Sequence, residues 1–196
     1  CRKGLYNFPL ISELFSHKPM MTLQERYRQL RQRSVAICSS LKPEDYVVQP
    51  VTEVSPPKWH LGHTTWFFET FLLVPYGRDY TVFDPEYNYL FNSYYETIGA
   101  RVIRTDRGNI SRPSVDEIMR YRAYVDNAMD AFLADTDLIT EVPEAIITLG
   151  FNHEEQHQEL LITDIKYILG HNPLLPAYRC DYERPEVNDI LQHNWI

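Results

Sequence analysis

The sequence predicts an all-α fold, a four-helix bundle whose connections are long enough for crossovers rather than a simple up-and-down path. Three observations carry this. Four segments repeat apolar residues at helical spacing. Two of them open at capping boxes, Thr22 with Glu25 and Ser114 with Glu117. No segment between them has a convincing strand pattern.

The first helix begins at Thr22, and Leu23, Tyr27, Leu30, Ile37, Cys38 and Leu41 give its apolar stripe, with Pro43 marking its end. Residues 46–54 read as extended and irregular. Ser55-Pro56-Pro57 supplies an N-cap with proline in the first turn, so a second helix is expected from about Pro57 to Leu73, stopped by Pro75-Tyr76-Gly77. A tyrosine-rich connection then runs from Arg78 to Pro113 and carries Arg101, Arg104 and Arg107. A loop of that length inside a compact domain is uncommon and often functional. The third helix starts at Ser114 and places Ile118, Tyr121, Val125, Ala128 and Phe132 on one side. The fourth starts near Pro143 and runs to Leu169, with Gly170 as its C′ residue and Pro173 just beyond. Its inward face reads Ile146, Gly150, His153, His157, Leu160, Asp164 and Ile168. The expected division is an N-terminal extension over 1–18, the bundle over 19–172 and a tail over 173–196.

Bulk properties narrow the classes. A chain of 196 residues with 44% apolar residues suits one ordinary domain with a real core. A formal charge of -8 and a pI near 5.3 argue against a nucleic-acid surface. No apolar run approaches the ~20 residues of a membrane span, and residues 1–18 lack the apolar stretch of a signal peptide. Cys1, Cys38 and Cys180 are odd in number and scattered without zinc-ribbon spacing, which points to a reducing cytoplasm. The first residue is Cys1 rather than Met, so the chain is expected to be trimmed or part of something longer.

The chemistry lies in His153-Glu154-Glu155-Gln156-His157. Histidines four apart stand one above the other on a helix, so both imidazoles can reach one ion. Trp59-His60-Leu61-Gly62-His63 offers a third imidazole. His63 belongs to two overlapping faces of the second helix and is the more central candidate, while His60 reads as packing or as support behind the ligands. A lone buried histidine is usually a satisfied core residue, but three in this arrangement are a rarer pattern. Three neutral imidazoles with coordination positions left over make a catalytic site rather than a sealed one. Glu154, Glu155 and Gln156 are expected to point away from the site into solvent or to support it from behind. Asp164, two turns beyond His157, is placed to orient an imidazole, or equally to partner a buried tyrosine or arginine. The segment also satisfies H-E-x-x-H, the metalloprotease helix. However, Leu160 and Thr163 stand where the metzincin form needs glycine and histidine, Glu183 lies in an irregular tail, and no sheet is expected to hold a substrate strand.

Several segments together resemble the ergothioneine-biosynthesis sulfoxide synthase (EgtB) family. They are Ser55-Pro56-Pro57-Lys58-Trp59-His60-Leu61-Gly62-His63-Thr64-Thr65-Trp66-Phe67-Phe68-Glu69-Thr70, then Phe91-Asn92-Ser93-Tyr94-Tyr95 with Arg107-Gly108 and Ser111-Arg112-Pro113-Ser114, then Gly150 to Leu160 and Leu191-Gln192-His193-Asn194-Trp195. The resemblance implies a DinB-like four-helix bundle with iron(II) on His63, His153 and His157. It implies substrate-binding arginines, for which Arg101 and Arg104 have the spacing and Arg104 and Arg107 compete, and support behind the ligands from His60 and Asp164. It also implies a reaction in which dioxygen joins cysteine or γ-glutamylcysteine to the imidazole C2 of hercynine as a sulfoxide. Members of that family continue into a C-terminal lectin-like domain, so this chain is expected to bind metal but to need that domain, in cis or in trans, for turnover. Two alternatives remain. One is a stand-alone DinB-like thiol transferase or isomerase using zinc or nickel on the same histidines; the other is a non-catalytic metal-stabilised docking module.

Overall fold

The computed structural model describes residues 21–93 and 99–179. The expected N-terminal extension, the signature residues Tyr94 and Tyr95, and Cys180, Glu183 and residues 191–195 of the tail lie outside the described residues.

Helix α1 spans Leu23–Cys38 and begins as the capping box requires. The Thr22 hydroxyl accepts from the Glu25 amide at 3.1 Å, and the Glu25 carboxylate accepts from the Thr22 amide at 2.8 Å. α1 ends before Pro43 rather than at it, because residues Pro43–Val47 wind into their own 3-10 turn. The Tyr46 hydroxyl ties that turn back to the Cys38 carbonyl at 3.0 Å. Cys38 is buried, and burial pushes its thiol up to about 12, so it packs as a small apolar group.

Helix α2 spans Pro57–Phe68 and every one of its residues is buried. A helix enclosed on all sides has no solvent face for periodicity to reveal. The expected cap does not form: Pro56 occupies the N-cap position, and Ser55 is used elsewhere. A wide π-helical turn, Glu69–Leu73, continues α2 into α3, Val74–Tyr76. The turn begins at Glu69, whose buried carboxylate accepts from the Tyr80 hydroxyl, the Phe83 amide and the Tyr121 hydroxyl. Tyr80 and Phe83 fix the start of the long connection against this turn, and Tyr121 ties it to the helix that follows Ser114.

That connection is less irregular than expected. It contains α4, Glu86–Phe91, and a 3-10 turn over Arg104–Asn109. α5, Val115–Ala134, starts at Ser114 with both halves of its capping box in place. A short α6, Thr136–Glu141, is capped by Asp135. α7 spans Glu144–His171, so Gly170 lies inside the helix rather than beyond it, and Asn172 is the C-cap. The bundle consists of α1, α2, α5 and α7, with α2 packed against both α5 and α7, and α1 against α7 and α5. No strand forms among the described residues, and none of their helices is long and apolar enough to cross a membrane.

α7 buries part of the face read in the sequence, at Gly150, Asp164 and Ile168, and a neighbouring stripe that was not read. Ile147, Phe151, Glu154, Gln158, Leu161 and Ile165 face the core, while Leu160 is exposed and Ile146 half-buried. Of the two expectations for Glu154, solvent exposure is therefore overturned, since its exposure is 0%. It accepts from Arg31 Nη1 at 2.7 Å, Ser34 Oγ at 2.6 Å and Arg122 Nη2 at 3.2 Å. Arg31 also donates to Asp126 and Thr65, each at 2.7 Å. Burial alone would raise the Glu154 carboxyl, but Arg31 and Arg122 hold it below its usual range, so it stays ionised.

The two capping boxes give the bundle an acid sensitivity. Hydrogen bonds from the Thr22 and Ser114 backbone hold the Glu25 and Glu117 carboxyls below their ordinary 4.5. A depressed native pKa contributes stability that is present above the unfolded value and is lost as pH falls through the native one. Amide exchange in the first turns of α1 and α5 is therefore expected to accelerate, beyond its intrinsic pH dependence, as pH drops below about 4. Glu25→Ala and Glu117→Ala should remove that component in their own helix only.

Candidate metal centre

The middle of α2 and the middle of α7 bring three imidazoles together. His63, His153 and His157 each offer a ring nitrogen, and these atoms lie within 4.8 Å of one another. The Nε2 atoms of His63 and His153 are 3.1 Å apart. That matches the spacing of about 3.0–3.4 Å between neighbouring nitrogens on an ion with metal–nitrogen bonds of about 2.1 Å.

Hydrogen-bond partners assign the tautomers. His63 Nδ1 meets the Phe91 carbonyl at 2.6 Å, and a carbonyl can only accept, so the proton is on Nδ1 and the Nε2 lone pair faces the site. Behind His157 is a chain of two groups. His60 Nε2 lies 2.9 Å from Asp164 Oδ2, which also takes the Ser55 amide at 2.9 Å. With His60 donating to that carboxylate, its Nδ1 is left to accept from His157 Nδ1 at 2.9 Å. The His157 Nε2 lone pair is then directed at the site. Asp164 thus orients His157 through His60 rather than directly. His153 differs, because its Nδ1 is buried with no hydrogen-bond partner. Its ring is held instead by stacking on Phe67, with centroids 4.5 Å apart.

Electrostatics keep the trio neutral. Burial lowers all three, taking His153 to about 4 and His63 and His157 further. Mutual repulsion and the Arg107 charge add to the depression at His63 and His157. Burial also lowers His60, with Asp164 opposing it. Neutral imidazole is the ligating form, so no proton has to leave when an ion arrives near neutral pH. Uncharged, desolvated donors whose Nε2 lone pairs converge fit an ion better than they fit ordinary core packing.

The histidines form the floor of a cavity of about 450 Å³. Trp59 stacks on His63 at 4.5 Å and 12°, and Trp66 stacks on the same ring at 5.6 Å. The Arg107 guanidinium lies 3.3 Å over the Trp59 ring and donates to Ser55 Oγ at 2.9 Å. Arg104 donates to the carbonyls of Thr52 and Glu53. Arg104 and Arg107 both line the cavity, so of the two competing arginine pairs the described wall contains this one and not Arg101. Gln156 also lines it, against the expectation that it points away, whereas Glu155 is exposed near Arg26. Glu154, the base that a metalloprotease would need, is locked on the far side of α7. That removes the protease reading.

Two glycines make the approach of the elements possible. A Cβ on Gly150 would come within 2.9 Å of the Phe68 ring, so α7 could not lie as close to α2. A Cβ on Gly62 would sit 2.4 Å from Phe91 Cε1, in the residue whose carbonyl anchors His63. Gly62→Ala is expected to destabilise the fold by about 1–3 kcal/mol through overpacking. It should also weaken metal binding about tenfold by shifting that carbonyl, as loss of an outer hydrogen-bond partner does. Thermal melts and cobalt(II) titration of the variant measure the two effects.

A family model described as the DinB superfamily matches residues 26–161, a segment that holds all three histidines and most of the four bundle helices. Among curated proteins, no relative matches the chain. The helical architecture and the span of that match agree: this chain belongs to the DinB superfamily.

Proposed function

We propose that the chain is the iron(II)-binding domain of an oxygen-dependent sulfoxide synthase. Its substrates would be hercynine, a cysteine-type thiol (cysteine or γ-glutamylcysteine) and dioxygen, and its compartment the cytoplasm. The observation that carries this reading is the convergence of three neutral imidazoles on the floor of a cavity walled by Arg104 and Arg107. The signature segments around His63 and His153, and the extent of the DinB match, support it.

Iron(II) on three nitrogens would keep positions open for thiolate, imidazole and dioxygen and would supply the redox capacity that the reaction needs. The protein's own groups do the rest. The positive charges of Arg104 and Arg107 attract the carboxylates of the thiol substrate. Trp59, held flat between Arg107 and His63, excludes water from one side of the site. The Phe91 carbonyl and the Asp164–His60 pair hold the ligating rings in one tautomer. Holding all reactants at one centre lowers the entropic barrier of a three-body encounter. The remaining wall would come from a C-terminal lectin-like domain, in cis or in trans.

A second reading stays in view because the family match reaches only the superfamily. It is a thiol transferase or isomerase using zinc or nickel on the same histidines. Metal analysis after anaerobic preparation separates the two. The synthase reading predicts iron, and oxygen uptake with hercynine and a thiol once the lectin-like domain is supplied. Bound zinc, with thiol chemistry that consumes no oxygen, would overturn it.

A further inference from the structure

We infer that the buried Arg31–Glu154–Arg122 network is the positioning frame of the histidine triad, and not only a source of stability. The inference rests on the metal-site reading above. Each of the three histidines is followed in the chain by a residue that belongs to this network. After His63 come Thr64 and Thr65, after His153 comes Glu154, and after His157 comes Gln158. Successive helical residues point about 100° apart. The helices therefore present ligands on one side and network groups on the other.

The bonds connect all four bundle helices. Arg122 on α5 donates to the Leu61 carbonyl and to the Thr64 and Thr65 hydroxyls of α2, each at 3.2 Å. It also donates to Glu154 on α7 and, through the same Nη2, to the Arg31 carbonyl on α1. Arg31 donates to Thr65 and to Glu154. Gln158 donates to the Leu30 carbonyl at 2.8 Å and to Ser34 at 3.0 Å.

Apolar packing could hold the helices together equally well, since buried ion pairs are often replaced by hydrocarbon without loss of stability. What apolar contacts lack is direction. A turn of α7 by about 10° would carry an imidazole nitrogen sideways by about 1 Å, whereas metal–nitrogen bonds tolerate about 0.2 Å. Directional bonds placed one residue beyond each ligand suppress that rotation where it matters most.

The test compares cobalt(II) binding and its visible spectrum in the 196-residue chain and three variants. Glu154→Gln keeps the side chain's shape but removes its charge. Thr65→Val is a milder change that removes one hydroxyl shared by both arginines. Met129→Ala opens a hole in the apolar core two helical turns along α5 from Arg122, at a side chain with no hydrogen bond to the network. The expected result is at least a tenfold loss of cobalt(II) affinity with an altered spectrum for Glu154→Gln, and a smaller loss for Thr65→Val. Met129→Ala, melting comparably lower, should bind within about threefold of the parent chain. If Glu154→Gln does not fold, Thr65→Val carries the comparison. Parent-like affinity and spectrum in both network variants would overturn the inference, as would equal weakening in Met129→Ala. Failure of the parent chain itself to bind cobalt(II) would instead overturn the metal-site reading beneath it.

Discussion

His63→Ala is expected to lower metal affinity by more than 100-fold, enough to leave the purified protein without its ion. The basis is geometric. His63 is the only one of the three ligating candidates carried by α2, and it faces His153 Nε2 at 3.1 Å. Without it, two imidazoles on one helix face remain, and no other cluster of ligating groups among the described residues can replace it. His60 cannot take over, because its two ring nitrogens are occupied by Asp164 and His157. Loss of an outer partner typically costs 10–100-fold in affinity, so His60→Ala should fall in that range and His63→Ala well beyond it. Thermal melts provide an independent readout. An ion present at about 100 times its dissociation constant stabilises the native state by about 2.7 kcal/mol. Added metal should therefore raise the melting temperature of the parent chain and leave that of His63→Ala unchanged. Full metal occupancy in the variant would show that the three rings are not a ligand set.

The second large effect is on the fold itself. Arg31→Ala is expected to destabilise the protein by about 3–5 kcal/mol, the usual result of removing one partner from a buried ion pair. Native domains are stable by only about 5–15 kcal/mol, so the loss is a substantial fraction of the whole. Arg31 is 3% exposed and joins three elements by hydrogen bonds to Asp126, Glu154 and Thr65. Without it Glu154 keeps Arg122, at 3.2 Å, as its one remaining cation in the network, and Asp126 loses its bond from the arginine. Burial and repulsion from Arg31 both lower Arg122, so removing Arg31 relieves part of that strain and limits the loss. Denaturant melts of Arg31→Ala, with Arg28→Ala as a control, measure the effect. Arg28 pairs with Asp130 at the surface, and its loss should cost at most about 1 kcal/mol. Equal effects from the two variants would mean that the buried network contributes no more than a surface pair.

Much of this architecture was legible in the sequence because it depends on local signals. Thr22 with Glu25 and Ser114 with Glu117 identify helix starts that tertiary packing has no reason to move. The i,i+4 spacing of His153 and His157 similarly constrains where two imidazoles must point. The inward side of α7 was harder to read, because Glu154 and Gln158 interrupt a stripe that runs Ile147, Phe151, Leu161, Ile165. A stripe with polar residues at core positions looks like a solvent face until their partners are known. Those partners, Arg31 and Arg122, interrupt the stripes of α1 and α5 in the same way, beside Leu30 and Tyr121. Charged residues at core positions in three separate helices were the available signal, and it becomes informative only when all three are read together. Which of the two arginine pairs lines the cavity had no local signal, since it depends on how a 3-10 turn seats the Arg107 guanidinium on Trp59.

The stacking of Trp59 and Trp66 on His63 places two of the chain's three indoles against a candidate ligand ring. Intrinsic emission therefore reports on the centre without any added label. A paramagnetic ion held by that ring would quench the stacked indoles, while zinc, with its filled d shell, would shift the signal only slightly. The protein would thus carry its own optical gauge of any ion bound at the three histidines.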